Sequence, residues 1–134
     1  MSYQSITIVG NLGRDPEIQY TSSGQIVSHF SLASTRIHKE DGKVKKETAW
    51  FRITTWGKIA ESCHEYLKQG AKVLVEGRLL IDPDTGGPRV YTRQDGSAGA
   101  SFEVNANTVK FLSKSSESTD EPTTEEEKLL AISF

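Results

Sequence analysis

The chain has 134 residues, of which 35% are hydrophobic and 25% charged, and this size and composition suit one soluble domain with a single core. No stretch approaches the roughly 18 to 20 apolar residues that span a bilayer, and no secretory signal is visible at the N-terminus, so we expect neither a membrane protein nor an exported one. The lone Cys63 fits a reducing cytoplasm.

Charge divides the chain into two parts after Leu112. Residues 1–112 hold 14 basic and 12 acidic side chains, a net charge of +2, whereas residues 113–134 hold 2 basic and 6 acidic ones, a net charge of −4. Residues 113–128 contain no aliphatic or aromatic side chain, and such a composition cannot bury enough surface to offset the entropy of ordering. We therefore predict a folded domain over residues 1–112 and a disordered acidic tail over residues 113–134.

Alternation of apolar and polar residues is the main structural signal in residues 1–112. It predicts five strands, over residues 5–10, 25–34, 48–56, 72–81 and 101–112. The Gly-Arg-Asp-Pro sequence at residues 13–16 predicts a bend in the first strand. Residues 35–47 and 82–100 are predicted to be long loops.

One segment has helical spacing. Ile59, Cys63, Tyr66 and Leu67 form an apolar stripe, and Gly70 is a stop signal, so a short helix is predicted between the third and fourth strands. Three strands, a short helix and two further strands is the order of elements in the oligonucleotide/oligosaccharide-binding (OB) fold. We therefore predict an all-β protein, a five-stranded OB barrel with one short helix and a disordered acidic C-terminal tail.

The third predicted strand is the most informative segment. Alternation directs one set of side chains to each face: Trp50, Arg52, Thr54 and Trp56 to one, and Ala49, Phe51, Ile53 and Thr55 to the other. The second set suffices to fill a barrel interior, which leaves two indoles and a guanidinium outside. Indoles stack on any nucleobase, so the face predicts a ligand that is an extended, unpaired polyanion with exposed aromatic rings.

Basic side chains in the two predicted loops would supply contacts to phosphates through counterion release. The second loop contains Arg89, Tyr91 and Arg93, and the first contains Arg36, Lys39, Lys43, Lys45 and Lys46, of which Lys43 and Lys45 are the predicted site residues. Two other interpretations stay open. Either Trp could pack at a subunit contact or under a loop, and the lysines could belong to a solvated hairpin tip.

No constellation typical of an enzyme is evident. His29, His38 and His64 lie on different predicted elements, without the Cys or carboxylate spacing of a zinc site, so we expect no catalysis, no metal and no cofactor. Two alternatives to single-strand DNA binding remain. One is an OB module that binds RNA or another protein, and the other is an assembly protein that pairs through residues 5–10.

Five short motifs, of which the third has two parts (residues 50–52 and 56–58), resemble the bacterial single-stranded DNA-binding protein family. They are residues 8–17 (IVGNLGRDPE), 30–33 (FSLA), 50–52 (WFR), 56–58 (WGK), 65–70 (EYLKQG) and 75–79 (VEGRL). The resemblance runs from about Tyr3 to Leu112. It implies an OB fold, a homotetramer, and sequence-tolerant binding of single-stranded DNA in replication, recombination and repair.

The resemblance also implies roles for particular residues. Trp50, Trp56 and Tyr91 fall on aromatic stacking positions, with Trp56 where a Phe is common, and Arg52, Lys58 and Arg89 fall on basic positions. The family's early-loop aromatic would lie near Ile37 or His38, where this chain has none.

The tail resembles the family's acidic tail with its apolar tip. Glu125, Glu126 and Glu127 precede Ile132, Ser133 and Phe134, although Ser133 stands where the family usually has Pro. In that family the tip binds replication and repair proteins, with the terminal carboxylate and Phe as anchors. We therefore expect Ile132, Ser133 and Phe134 to bind partner proteins, and we expect a cytoplasmic, nucleoid-associated location.

Overall fold

A computed structural model describes residues 1–112, and most of its strands form one sheet that closes on itself. The elements in chain order are β1 (Ile6–Leu12), β2 (Glu17–Tyr20), β3 (Ile26–Glu40), β4 (Lys43–Trp56), α1 (Gly57–Tyr66), β5 (Lys72–Leu79), β6 (Val90–Thr92), β7 (Ala98–Ala100) and β8 (Phe102–Phe111). The barrel follows the order β1-β5-β8-β4-β3, and pairing of β1 with β3 closes it. The prediction of a five-stranded barrel with one helix between its third and fourth strands is confirmed.

The closure point depends on a close approach of two backbones. Asn11 pairs with Ala33 and Leu12 with Leu32 where β1 meets β3. A Cβ added at Gly10 would collide with the carbonyl oxygen of Ala33, so this approach requires a residue without a side chain.

The barrel interior is a continuous apolar core. Its buried members are Ile8, Leu12, Phe30, Leu32, Ile53, Cys63, Leu67, Val73, Val75, Val104 and Ala106. Helix α1 contributes Cys63, and Leu67 follows at its C-terminal end, as the apolar stripe predicts. Tyr66 departs from the stripe, because its side chain is exposed and contacts the ring of Phe111, with the ring centroids 6.3 Å apart.

The structure corrects the predicted bounds of the first strand and of the first loop. The first predicted strand is two strands, because the chain bends after Leu12 and continues as β2, which pairs with β3. Residues 35–47 are not a loop but the outer half of a β3–β4 hairpin that pairs as far as Glu40 and Lys43. Asp41 and Gly42 form its two-residue turn with φ values of 53° and 76°, in the left-handed region that such turns favour.

Residues 82–100 also contain structure. Strands β6 and β7 pair as a second, separate hairpin, with Tyr91 opposite Gly99. The predicted loop is therefore a small hairpin attached to the barrel through the residues before β6 and after β7.

Candidate nucleic-acid interface

Strand β4 carries both tryptophans on its outward face. The side chains of Trp50 and Trp56 are 55% and 40% exposed, whereas Ile53 and Thr55 between them are fully buried. Because neighbouring residues of a strand point to opposite faces, both indoles lie outside the barrel interior. Arg52, between the two rings, is exposed as well. This face therefore offers two aromatic rings and a guanidinium to a ligand.

Small side chains on β3 flank the first of these rings. The cross-strand partner of Trp50 is Ala33, and that of Arg52 is Ser31. The ring of Trp50 reaches across β3 to the backbone of Gly13, which lies in the bend between β1 and β2 and whose N–H donates a hydrogen bond to the carbonyl oxygen of Ser31. The indole thus rests on backbone and small residues, which leaves much of its surface free for stacking.

The ring of Trp56 is held by a hydrogen bond, called the tether below. The indole N–H of Trp56 donates a hydrogen bond of 3.1 Å to Oδ1 of Asn105, on the neighbouring strand β8. Trp56 is also the residue that precedes α1, so it is held at the end of the strand where the chain turns into the helix.

A cleft of about 570 Å³ lies beside Arg52. Three of the predicted site residues line it together, namely Arg52, Arg89 and Tyr91. Three carboxylates that the sequence did not assign to the site, Asp15, Glu17 and Glu103, line the same cleft, and Arg14 adds a further cation. The cleft therefore contains both positive and negative side chains. In contrast, the outward face of β4 between Trp50 and Trp56 contains no acidic residue.

His29 forms part of the cleft wall and is a further residue that sequence reasoning did not assign to the site. Its Nδ1 lies 3.1 Å from the hydroxyl of Thr54, within hydrogen-bonding distance. Partial burial and then the positive charge of Arg52 lower the pKa of His29 below its ordinary value of 6.5, against the opposing effect of Glu17 and Glu103. His29 is therefore biased towards its neutral form beside the Arg52 guanidinium.

Tyr91 and Arg93 form one unit on the β6–β7 hairpin. The guanidinium carbon of Arg93 lies 5.8 Å from the centroid of the Tyr91 ring, a cation–π distance. Arg93 also donates a hydrogen bond of 2.6 Å to the carbonyl oxygen of Ala98. Arg93 therefore contacts its own hairpin beside Tyr91, and a role for Arg93 in DNA binding stays a prediction.

The lysines of the β3–β4 hairpin divide between its two faces. Thr35 and Thr48 share a hydrogen bond of 3.1 Å on the face that continues from Trp50. By alternation along each strand, Lys39 and Lys46 lie on that same face. Both belong to the basic segment from which the sequence predicts phosphate contacts, although Lys43 and Lys45 are the two lysines predicted as site residues.

The predicted site residues Lys43 and Lys45 lie on the opposite face of the hairpin from Trp50. Nζ of Lys45 lies 3.3 Å from Oε2 of Glu40, and Lys43 is the cross-strand partner of Glu40. This face is thus partly neutralised by acidic neighbours. A role for Lys43 and Lys45 in DNA binding stays a prediction.

The remaining predicted residues lie elsewhere. Lys58 is exposed in the first turn of α1, two residues after Trp56. Ile132, Ser133 and Phe134, together with the predicted tail, lie outside the described residues. Within residues 1–112, no cluster of His, Cys, Asp or Glu side chains could hold a metal ion, and no helix is long and apolar enough to cross a membrane.

Comparison with known proteins identifies similar sequences. Residues 3–112 match the Single-strand binding protein family. A single-stranded DNA-binding protein of Xanthomonas axonopodis pv. citri is 39% identical over 108 residues, which are 80% of this chain. The matches to this protein and to two further relatives span between 56% and 62% of the relatives' own lengths.

Solved structures share the fold. A Plasmodium falciparum SSB in complex with ssDNA matches with a TM-score of 0.68 and 24% identity, over 84% of this chain and 97% of that one. A small single-stranded DNA-binding protein from Streptomyces coelicolor matches with a TM-score of 0.69 and 23% identity, over 84% of this chain and 96% of that one. At these identities the likeness supports the barrel architecture itself.

Proposed function

Because this chain belongs to the single-strand binding protein family, we propose that it binds single-stranded DNA without sequence preference and without catalysis. The observation that carries the proposal is the pair of exposed indoles, Trp50 and Trp56, on one face of β4 with Arg52 between them. An enzyme would need convergent acid, base or nucleophilic groups, and this face carries aromatic rings and cations instead.

Stacking is the sequence-tolerant part of the mechanism. Every base has a flat π face, and stacking on an aromatic side chain contributes about 1 to 3 kcal/mol per base. Trp50 and Trp56 give two such platforms along one strand, and Tyr91 gives a third on the β6–β7 hairpin. In duplex DNA these base faces are already stacked inside the helix, so the same platforms favour unpaired strands.

Phosphate contacts supply the electrostatic part. Arg52 and Arg89 line the cleft, and Lys39 and Lys46 extend the tryptophan face along the hairpin. Each phosphate that a cation neutralises releases counterions, with a slope of about −0.7 in log K against log salt for single strands. The carboxylates Asp15, Glu17 and Glu103 line the same cleft and repel phosphates, so we expect phosphates to contact the guanidinium groups of Arg52 and Arg89 on the side away from these carboxylates.

The family resemblance extends the proposal to assembly and partners. We propose that the chain forms a homotetramer, acts in replication, recombination and repair, and recruits partner proteins through Ile132, Ser133 and Phe134.

The six acidic side chains of residues 113–134 repel DNA, so deleting that segment is expected to leave DNA affinity unchanged or to raise it. A loss of affinity on deletion contradicts this part. A cytoplasmic, nucleoid-associated location belongs to the same proposal.

Fluorescence quenching tests the DNA-binding proposal directly. The chain has only two tryptophans, so the whole indole signal comes from Trp50 and Trp56. Titration with oligo-dT is expected to quench strongly, and titration with duplex DNA of the same length is expected to quench little. Stronger quenching by the RNA counterpart favours an RNA-binding OB module, and no quenching by any strand favours a protein-interaction module.

Mass in solution tests the assembly. A tetramer is expected both with and without oligo-dT. An oligomer that forms but does not respond to nucleic acid in the quenching assay favours the assembly-protein alternative that pairs through residues 5–10.

A further inference from the structure

The tether between Trp56 and Asn105 joins an exposed ring to a strand held on both sides. Trp56 ends β4 with extended backbone angles, φ −129° and ψ 150°, and Gly57 then takes a φ of 63° as α1 begins. The chain turns sharply here, and the indole is 40% exposed. A directional contact at the indole N–H therefore adds to the restraint that packing gives this ring.

Asn105, in contrast, belongs to a strand with a fixed position. It pairs with Thr54 of β4 on one side and with Arg78 of β5 on the other. A Cβ added at Gly77 would collide with the carbonyl oxygen of Asn105, so the two backbones are in close contact there. Asn105 is thus a rigid anchor point beside the ring.

The chemistry of the tether is specific. Only the indole N–H of Trp56 donates, and Oδ1 of Asn105 accepts, at 3.1 Å. A phenylalanine at position 56 would stack on a base but could not make this bond. The hydrogen bond fixes the direction of the ring plane, which stacking contacts with a base require.

We propose that Asn105 is a positioning residue that holds the Trp56 indole in the orientation that receives a nucleobase. This inference rests on the proposed function and names a residue that acts through Trp56. Holding the ring before DNA arrives lowers the entropy lost on binding, because a free side chain must otherwise be ordered by its ligand.

The test uses the full chain with Trp50→Phe, so that Trp56 is the only tryptophan, and it excites at a wavelength that indole absorbs and tyrosine does not. In this background Asn105→Leu is expected to lower the fluorescence anisotropy of the free protein and to weaken oligo-dT binding by roughly two- to tenfold, the range for one hydrogen bond in water. Asn107→Leu, the same change at an exposed position two residues further along β8, is the matched control and is expected to change neither quantity.

Two more variants separate positioning from general damage. Asn105→Asp keeps an oxygen acceptor and is expected to preserve the anisotropy, even where its added charge weakens DNA binding. With Trp50 restored, Trp56→Phe removes the donor, and adding Asn105→Leu to it is expected to cost no further affinity. If Asn105→Leu folds poorly, Asn105→Asp remains the test, because it keeps the side-chain size and the acceptor oxygen: preserved anisotropy supports the inference, and a fall to the value of a freely rotating ring overturns it.

The experiment distinguishes a failure of the proposed DNA binding from a failure of the role proposed for Asn105. If the unsubstituted chain does not bind oligo-dT, the proposed function is wrong. If it binds but Asn105→Leu leaves anisotropy and affinity unchanged, or weakens binding equally in the Trp56→Phe background, Asn105 does not position the ring and this inference is overturned.

Discussion

Gly13 leaves the space that the ring of Trp50 occupies. A Cβ built on Gly13 would lie 2.6 Å from Cζ3 and 3.1 Å from Cη2 of that indole. Atoms of this kind do not approach so closely, so any side chain at position 13 must displace the ring. The bend between β1 and β2 therefore shapes a surface that lies on β4.

Gly13→Ala is expected to move the Trp50 ring and to weaken oligo-dT binding. The loss is at most the contribution of one stacked base, about 1 to 3 kcal/mol. The backbone φ of Gly13 is not in the left-handed region, so little change in the free energy of unfolding is expected. Gly87→Ala is the control, because a Cβ there meets only Thr85 Oγ1, at 3.7 Å. Equal affinities of the Gly13→Ala and Gly87→Ala proteins would contradict this account.

Lys46 and Lys45 are neighbours in sequence on opposite faces of the hairpin. Lys46→Gln is expected to lower oligo-dT affinity and to reduce the slope of log K against log salt by about 0.7, the contribution of one phosphate contact. Lys45→Gln is expected to leave the slope unchanged, because Lys45 pairs with Glu40 away from Trp50. The measurement is oligo-dT affinity at several salt concentrations. Equal slopes for the two variants would show that the two faces of the hairpin do not differ in their contacts with phosphates.

His29 gives the folded protein a pH dependence. The pKa of His29 lies below 6.5 in the folded state and close to 6.5 in the unfolded chain. At pH values between these two pKa values, His29 is more protonated in the unfolded chain than in the folded protein. The free energy of unfolding is therefore expected to rise with pH through this window and to level off above about pH 6.5. Urea unfolding at pH values from about 5 to about 8 measures it.

His29→Asn is expected to remove that rise, whereas substitution of the exposed His64 in α1 is the control and leaves the rise in place. A rise that persists in His29→Asn must come from another group.

Cys63 is expected to be chemically inert in the native protein. Its side chain is fully buried, and burial raises the pKa of the thiol to about 11, with a smaller opposing effect from a hydrogen bond with Thr55. Reaction with a thiol reagent at about pH 8 requires the thiolate, so labelling is expected to be negligible until denaturant exposes the side chain. Rapid labelling of the native protein would mean that α1 leaves the barrel readily.

The faces of β4 could be predicted because strand periodicity alone separates Trp50 and Trp56 from Ile53 and Thr55. The outer half of the β3–β4 hairpin was predicted wrongly, because its charged composition resembles a loop. The turn sequence Asp41-Gly42 was the available signal, and together with alternation it would have assigned Lys46 to the tryptophan face.

Contacts between distant residues were beyond sequence reasoning. Trp56 and Asn105 are 49 positions apart, and their hydrogen bond depends on the parallel register of β4 and β8. The approach of Gly13 to Trp50 depends likewise on where the bend after β1 lies. Such contacts follow from the closure of the barrel, which local patterns do not specify.

The affinity of the Trp50→Ala and Trp56→Ala proteins for oligo-dT tests the central claim most directly. If both indoles stack on unpaired bases, each substitution weakens binding by about 1 to 3 kcal/mol per protomer while the barrel stays folded. Binding by both variants as tight as that of the unsubstituted chain would contradict the claim.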